Sequence, residues 1–209
     1  MKLKNITKTY PTDSGEKRVL DNYSLELPNS GAVWIMGESG CGKTTLLRII
    51  AGLESFEGSI EDIPPGGVSM VFQEDRLFEE LSPEDNCLLA LNSHSERHCD
   101  SRSEKRSERR RNERQHIRQM LVATGIPEED MTRPVRGFSG GMKRRTAIVR
   151  ALCVPSGLVL MDEPFTGIDP ENRLATGKVI RESLGDRLFI GVTHHKEDCE
   201  LLKGEIVQL

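Results

Sequence analysis

No apolar run in this 209-residue chain is long enough to cross a bilayer, which excludes a helical channel or receptor within it. Excess positive charge is missing too. The formal net charge is -4 and the pI is about 5.8, a balance that argues against nucleic acid as the main partner. The five cysteines, at 41, 87, 99, 153 and 199, lack the paired spacing of a metal site, so reduced thiols in a cytosolic protein are expected. Met1-Lys2-Leu3-Lys4 leads straight into a strand-like pattern, so no signal peptide is expected. The length suits one core with room for a satellite subdomain.

What is present is organised around Gly37-Glu38-Ser39-Gly40-Cys41-Gly42-Lys43-Thr44-Thr45. Its spacing is that of a phosphate-binding loop, with Gly, four residues, then Gly-Lys-Thr. Ala32–Met36 reads as a buried strand before it and Thr45–Ala51 as a helix after it. A strand feeding a helix through such a loop aims backbone N–H groups, and the positive helix end, at one spot. Gly37, Gly40 and Gly42 give the backbone room to wrap an anion. Lys43 would place its ammonium on the β- and γ-phosphates, Thr44 its hydroxyl on Mg²⁺, and Thr45 would donate to the α-phosphate. Ser39 and Cys41 belong to the loop, Cys41 as a small structural side chain.

Other elements follow in order. Leu3–Thr9 and Tyr23–Leu27 alternate as antiparallel strands do, with a turn over Pro11–Lys17. Tyr10, at a strand end, is either an ordinary exposed tyrosine or a ring placed to stack on a purine. Val68–Phe72 reads as a core strand ending at Gln73. That amide is either a strand-end cap or a group reaching Mg²⁺ or the attacking water at the crevice of an α/β sheet. Leu77–Leu91 turns helical, with Pro83 suited to a first turn. Ser95–Arg118 is almost devoid of apolar residues and reads as a solvated helix laced with ion pairs, or else as a basic face for lipid or RNA. Ile117, Met120, Leu121 and Thr124 then restore a buried stripe.

Ser139-Gly140-Gly141 precedes a helix and forms a second potential anion-binding N-terminus. Gly157–Met161 is an apolar strand ending in Asp162 and Glu163. Neighbouring side chains on a strand point opposite ways, so the two acids divide the work. Asp162 would support Mg²⁺ and Glu163 would serve as general base. Thr166–Pro170 is a turn opening a helix. Leu188–Val192 is another buried strand, ending in Thr193-His194-His195, where a histidine faces the same crevice or is merely structural.

These pieces in this order resemble an ATP-binding cassette (ABC) ATPase, over nearly the whole chain. The resemblance rests on the phosphate loop, Gln73, Ser139-Gly140-Gly141, Asp162-Glu163, Asp169 and His194. It implies an α/β fold: a RecA-like P-loop NTPase core over 1–75 and 153–209, an N-terminal antiparallel β subdomain, and an inserted helical signature subdomain over 76–152. It implies ATP and Mg²⁺ as cofactors, with Tyr10 stacking on adenine. It also implies two cassettes, identical or paralogous, head to tail around two nucleotides. Each nucleotide would lie between one chain's phosphate loop and the other's Ser139-Gly140-Gly141, with Asp169 linking the halves and His194 on the γ-phosphate. Integral membrane permease subunits would be driven through Gln73 and the importer-like segment after it, from the cytoplasmic face, with no specific nucleic acid expected. A soluble cassette acting on nucleic acid or ribosomes is the alternative. Phe138 and Met142 depart from the usual Leu and Gln around the signature, and His195 competes with His194 for the γ-phosphate role.

Overall fold

The computed structural model describes residues 1–13, 15–95 and 103–209. Its strands are β1 (Lys2–Thr12), β2 (Gly15–Glu26), β3 (Gly31–Met36), β4 (Glu57–Glu61), β5 (Val68–Val71), β6 (Leu158–Asp162), β7 (Leu188–Val192) and β8 (Glu205–Gln208). Its α-helices are α1 (Lys43–Ile50), α2 (Pro83–Ser95), α3 (Ser103–Ala123), α4 (Gly140–Cys153), α5 (Pro170–Leu184) and α6 (Lys196–Leu202). Residues 96–102 of the charged stretch lie outside the described residues.

The chain divides into two compact units, one of residues 1–70, 156–163 and 184–209, the other of 71–155 and 164–183. In the first, a three-stranded antiparallel sheet has the order β2-β1-β4, and a five-stranded sheet has the order β5-β6-β7-β3-β8. β3, β6 and β7 form its centre. All five residues of β6 and of β7 are buried, as are Val33–Met36 of β3. Continuous apolar runs of this kind suit parallel strands covered on both faces, and β7 does run parallel to both β3 and β6. α1 buries Leu46, Leu47, Ile49 and Ile50 in a core with Val33, Ile35, Leu160 and Ile190.

The parallel register sets the site. Ile35 pairs with Val192, and Val192 pairs with Asp162. The carboxyl ends of three adjacent strands are therefore level, and the residues that follow them emerge at one edge.

Three boundaries differ from the sequence expectation. The turn expected over Pro11–Lys17 is mostly strand, with Tyr10 opposite Lys17 and Thr12 opposite Gly15. Proline is accepted there because β4 pairs with β1 only as far as Thr7, so the missing N–H of Pro11 falls on an open edge. α1 starts at Lys43, two residues before the expected start. Helix over Leu77–Leu91 is delayed to Pro83. The Asn86 side chain takes the Phe78 N–H at 2.9 Å and donates to the carbonyls of Phe78 and Ser82, holding 78–82 as a turn. Ser82 Oγ then accepts the Asp85 N–H as an N-cap, with Pro83 in the first turn.

In the second unit Ile117, Met120 and Leu121 of α3, and Thr124 just past its end, are buried, as their spacing predicts. Arg109 pairs with Glu113 along the helix. Arg114 and Arg118, however, leave their own helix and converge on the buried Glu84 of α2, at 3.2 and 3.6 Å. Residues 164–183, Asp169 among them, also fall in this unit, although the sequence reading groups them with the core.

Candidate nucleotide-binding site

The loop from Gly37 to Gly42 is short, and its geometry is local. Cys41 donates its N–H to Glu38 O at 3.3 Å, and Leu46 donates to Gly42 O at 2.8 Å, which opens α1. Gly42 is the N-cap at φ 110°, in the left-handed region, and a Cβ there would stand 2.9 Å from a Val19 methyl. Only glycine meets both demands. Lys43 is 5% exposed, and its ammonium donates to the carbonyls of Gly37 at 2.8 Å and Glu38 at 2.7 Å. A buried ammonium held by two loop carbonyls is a cation stored at the mouth of a helix N-terminus, where an anion is favoured. Ser39 and Gly40 are exposed, while Cys41, Thr44 and Thr45 are half-buried.

The Val19 contact also brings the β1–β2 ribbon onto the loop. Tyr10 is opposite Lys17, two residues from Val19, or about 7 Å along the strand. Its ring is half-buried, and Lys8 Nζ lies 4.8 Å from the ring centroid. The ring is thus oriented by a cation–π contact on the ribbon that touches the loop.

Asp162 closes β6 and is 2% exposed. Glu163 follows at φ 47°, a left-handed conformation that costs a glutamate roughly 1–3 kcal/mol. Its N–H donates to Val192 O at 3.0 Å, which holds the turn. Glu163 Oε1 lies 3.0 Å from His194 Nε2, with both side chains partly exposed. His195 does something else: it is the N-cap residue of α6, and its N–H donates to Thr193 Oγ1 at 3.1 Å. The structure therefore brings His194 to Glu163. Among the described residues no three His, Cys, Asp or Glu side chains gather as a metal site. The oxygen donors here are the Thr44 hydroxyl and the Asp162 carboxylate. That sparse, hard set fits Mg²⁺, which binds through one or two carboxylates plus substrate phosphates.

The second unit carries the remaining candidates. Ser139 is the N-cap of α4, and its Oγ accepts the Met142 N–H at 3.3 Å. Met142 thus contributes to the helix start through its backbone, whatever its side chain. Phe138 is buried, as an apolar residue before the serine should be. Gly140 leads α4, and a Cβ on Gly141 would stand 2.7 Å from Gly167 O, so a bare backbone is required where this helix meets the Thr166–Asp169 turn. Asp169 caps α5: it accepts the Asn172 N–H at 3.0 Å and the Asn172 side-chain amide at 2.7 Å. These hydrogen bonds, the side-chain one foremost, hold its carboxyl below the ordinary 3.8.

Gln73 does not end a strand. β5 stops at Val71, and Gln73 is exposed two residues later. Its carbonyl accepts from Arg144 Nη1 at 3.3 Å. Arg144 itself went unassigned in the sequence, together with Arg145 and Arg150 on the same helix. Arg145 is buried, donates to Gly141 O at 3.1 Å and Thr124 O at 2.7 Å, and has its pKa lowered by that burial. The available signal was a basic triplet, Lys143-Arg144-Arg145, followed on the same helix by the apolar Ala147, Ile148, Val149, Ala151 and Leu152.

Residues 20–166, well over half of the chain, match the family model described as ABC transporter. The chain belongs to the ABC transporter family. A dimeric ATP-binding cassette in a post-hydrolysis state, bound to ADP and Pi, superposes on this cassette with a TM-score of 0.83 and 27% identity, covering 100% of this chain and 93% of the other. That match shows the mixed α/β cassette fold. An alpha-glucoside transport ATP-binding protein of Rhizobium meliloti (strain 1021) is 33% identical over 99% of this chain and 56% of its own length. A spermidine/putrescine import ATP-binding protein of Thermotoga maritima is 33% identical over 99% of this chain and 57% of its own. The cassette spans little more than half the length of these two relatives. Among the described residues no helix is long and apolar enough to cross a membrane.

Proposed function

We propose that this cassette is the ATP-hydrolysing subunit of an ABC transporter, closing head to tail with a second cassette around two MgATP to drive separate membrane subunits. The observation that carries the reading is the Glu163–His194 contact of 3.0 Å at the level edge where β3, β6 and β7 end, the same edge that holds the Lys43 loop. A carboxylate and an imidazole beside a phosphate-binding loop are the equipment for activating a water against a phosphoryl group.

In this reading Lys43 leaves its loop carbonyls for the β- and γ-phosphates, and the N–H groups at the start of α1 take the remaining phosphate oxygens. Tyr10 stacks on the adenine. Glu163 accepts the proton of the attacking water, and its strained backbone fixes the direction of that carboxylate. His194 donates to the γ-phosphate while Glu163 keeps its ring in place. Thr44, Asp162 and Gln73 hold Mg²⁺, which when bound neutralises charge on the phosphate oxygens. Ser139, Gly140 and Gly141 offer the α4 N-terminus to the nucleotide of the partner cassette, and Asp169 meets that partner near the turn it caps.

The names of the relatives support membrane subunits as partners, at the inner face of the membrane. Their solutes differ, a glucoside in one and polyamines in the other, so no solute is carried over. Nucleic acid is disfavoured by the formal net charge of -4, and Arg114 and Arg118 are paired with Glu84.

Ser139→Arg tests the head-to-tail reading. The expected result is unchanged binding of a fluorescent ATP analogue and loss of nucleotide-driven dimers in sedimentation, with turnover down at least about tenfold, since bulk and charge fill the helix N-terminus. Wild-type turnover in this variant overturns the role of Ser139 across the interface.

A further inference from the structure

We infer that Arg144 is a positioning residue that ties the backbone of Gln73 to the helix presenting Ser139-Gly140-Gly141. This rests on the role given to Gln73 above.

The side chain of Arg144 is 4% exposed. Its Nη1 donates to Phe72 O, to Gln73 O at 3.3 Å and to Asp75 Oδ1 at 3.3 Å. Its Nε donates to Pro164 O at 3.2 Å, immediately after Glu163 in the chain. Six residues on, Arg150 donates to Arg76 O at 2.6 Å and Asp75 O at 3.0 Å. Two guanidinium groups of one helix thus occupy the carbonyls of residues 72, 73, 75 and 76.

That segment belongs to no helix or strand, so nothing in its own backbone fixes its path. Water normally takes the carbonyls of such a segment. Here a planar fork of donors does so, and it cannot lose its charge. Separating helix from segment would strip a buried guanidinium of three of its acceptors, which is unfavourable. Segment and helix therefore move together. A displacement of Gln73 on binding its ligand passes to α4 through hydrogen bonds, and the N-cap of α4, Ser139, lies five residues before Arg144. Lysine cannot replace the fork. It has a single nitrogen and could not hold the Gln73 and Pro164 carbonyls in this geometry together with Asp75.

The test is a double-mutant cycle of Arg144→Lys and Gln73→Ala in the intact cassette, with Arg144→Gln as a second variant should the lysine form fail to fold. Turnover, KM for ATP and hydrogen exchange over 72–76 are measured. Each single variant is expected to lower kcat about tenfold with KM within about twofold, and the double variant to be no slower than the worse single. Exchange over 72–76 is expected to quicken in Arg144→Lys, with the Lys43 loop unchanged. A double variant whose loss is the product of the two single losses overturns the inference, because Arg144 then acts independently of Gln73. Unchanged exchange over 72–76 overturns it as well. Normal turnover in Gln73→Ala alone removes the role of Gln73, an outcome distinct from additivity in the cycle.

Discussion

The Lys43 loop and the Ser139 helix start are both helix N-termini suited to an anion, but they are built by opposite means. The loop is assembled from its own neighbours: Lys43 bonds to Gly37 and Glu38, Cys41 to Glu38, and Leu46 to Gly42, all within six residues. Beyond its own N-cap bond, the Ser139 end is positioned by reach. Arg144 connects to Phe72 and Gln73, 72 and 71 residues away, and Arg145 to Thr124, 21 away. A site closed by local hydrogen bonds depends less on distant parts of the chain, though Val19 packs on Gly42. A site held by distant guanidinium bonds keeps its shape only while those partners stay.

The comparison is broken first at the chemistry beside the loop. Glu163→Gln keeps the shape and the hydrogen bond to His194 while removing the basic oxygen. Turnover is expected to fall about 10²-fold, with ATP binding retained and closed dimers accumulating on gel filtration. Turnover equal to wild type would take the general-base role away from Glu163. A smaller loss is expected from Lys43→Ala, which removes the mobile cation and leaves the N–H groups of α1. ATP should bind about tenfold more weakly, in the range of a charge-assisted hydrogen bond. An affinity unchanged by this variant, read by fluorescence titration, would mean that the backbone alone holds the phosphates.

The same contrast explains what the sequence made legible. Gly37–Thr45 was readable because the hydrogen bonds that shape its loop join residues within six positions of one another, and β3, β6 and β7 because an apolar run bounded by turn residues has few alternatives. Asp162 and Glu163 were given different jobs from strand alternation, but β6 stops at Asp162 and Glu163 stands beyond it at φ 47°, so a turn and not the pleat separates the two side chains. His194 was favoured over His195 only for its place directly after Thr193, because its contact with Glu163, 31 residues earlier, is not visible in the sequence. The delayed start of α2 was hidden in Asn86, whose side chain competes with the helix for the Phe78 backbone. Arg144 and Arg150 were hidden for a related reason. Charged residues on a helix are read as its solvated face, and only the tertiary structure turns them inward onto the carbonyls of 72–76.

The smallest effect sharpens the comparison at the Ser139 side, where even an exposed carboxylate owes its titration to a particular neighbour. Asp169 accepts from the Asn172 amide and from the Asn172 N–H, and its pKa lies below the ordinary 3.8. A carboxyl depressed in the folded state adds stability above its unfolded pKa and loses it as pH falls through the folded value. Asn172→Ala removes the first of those bonds and leaves the backbone cap, so the Asp169 carboxyl should titrate closer to 3.8 in a carbon-detected NMR titration. The melting temperature of the variant should accordingly fall less steeply than that of the wild type as pH drops below about 4. Identical Asp169 titration in the two proteins would assign the depression to the helix start itself. The Ser139 side would then contain one element as locally built as the Lys43 loop.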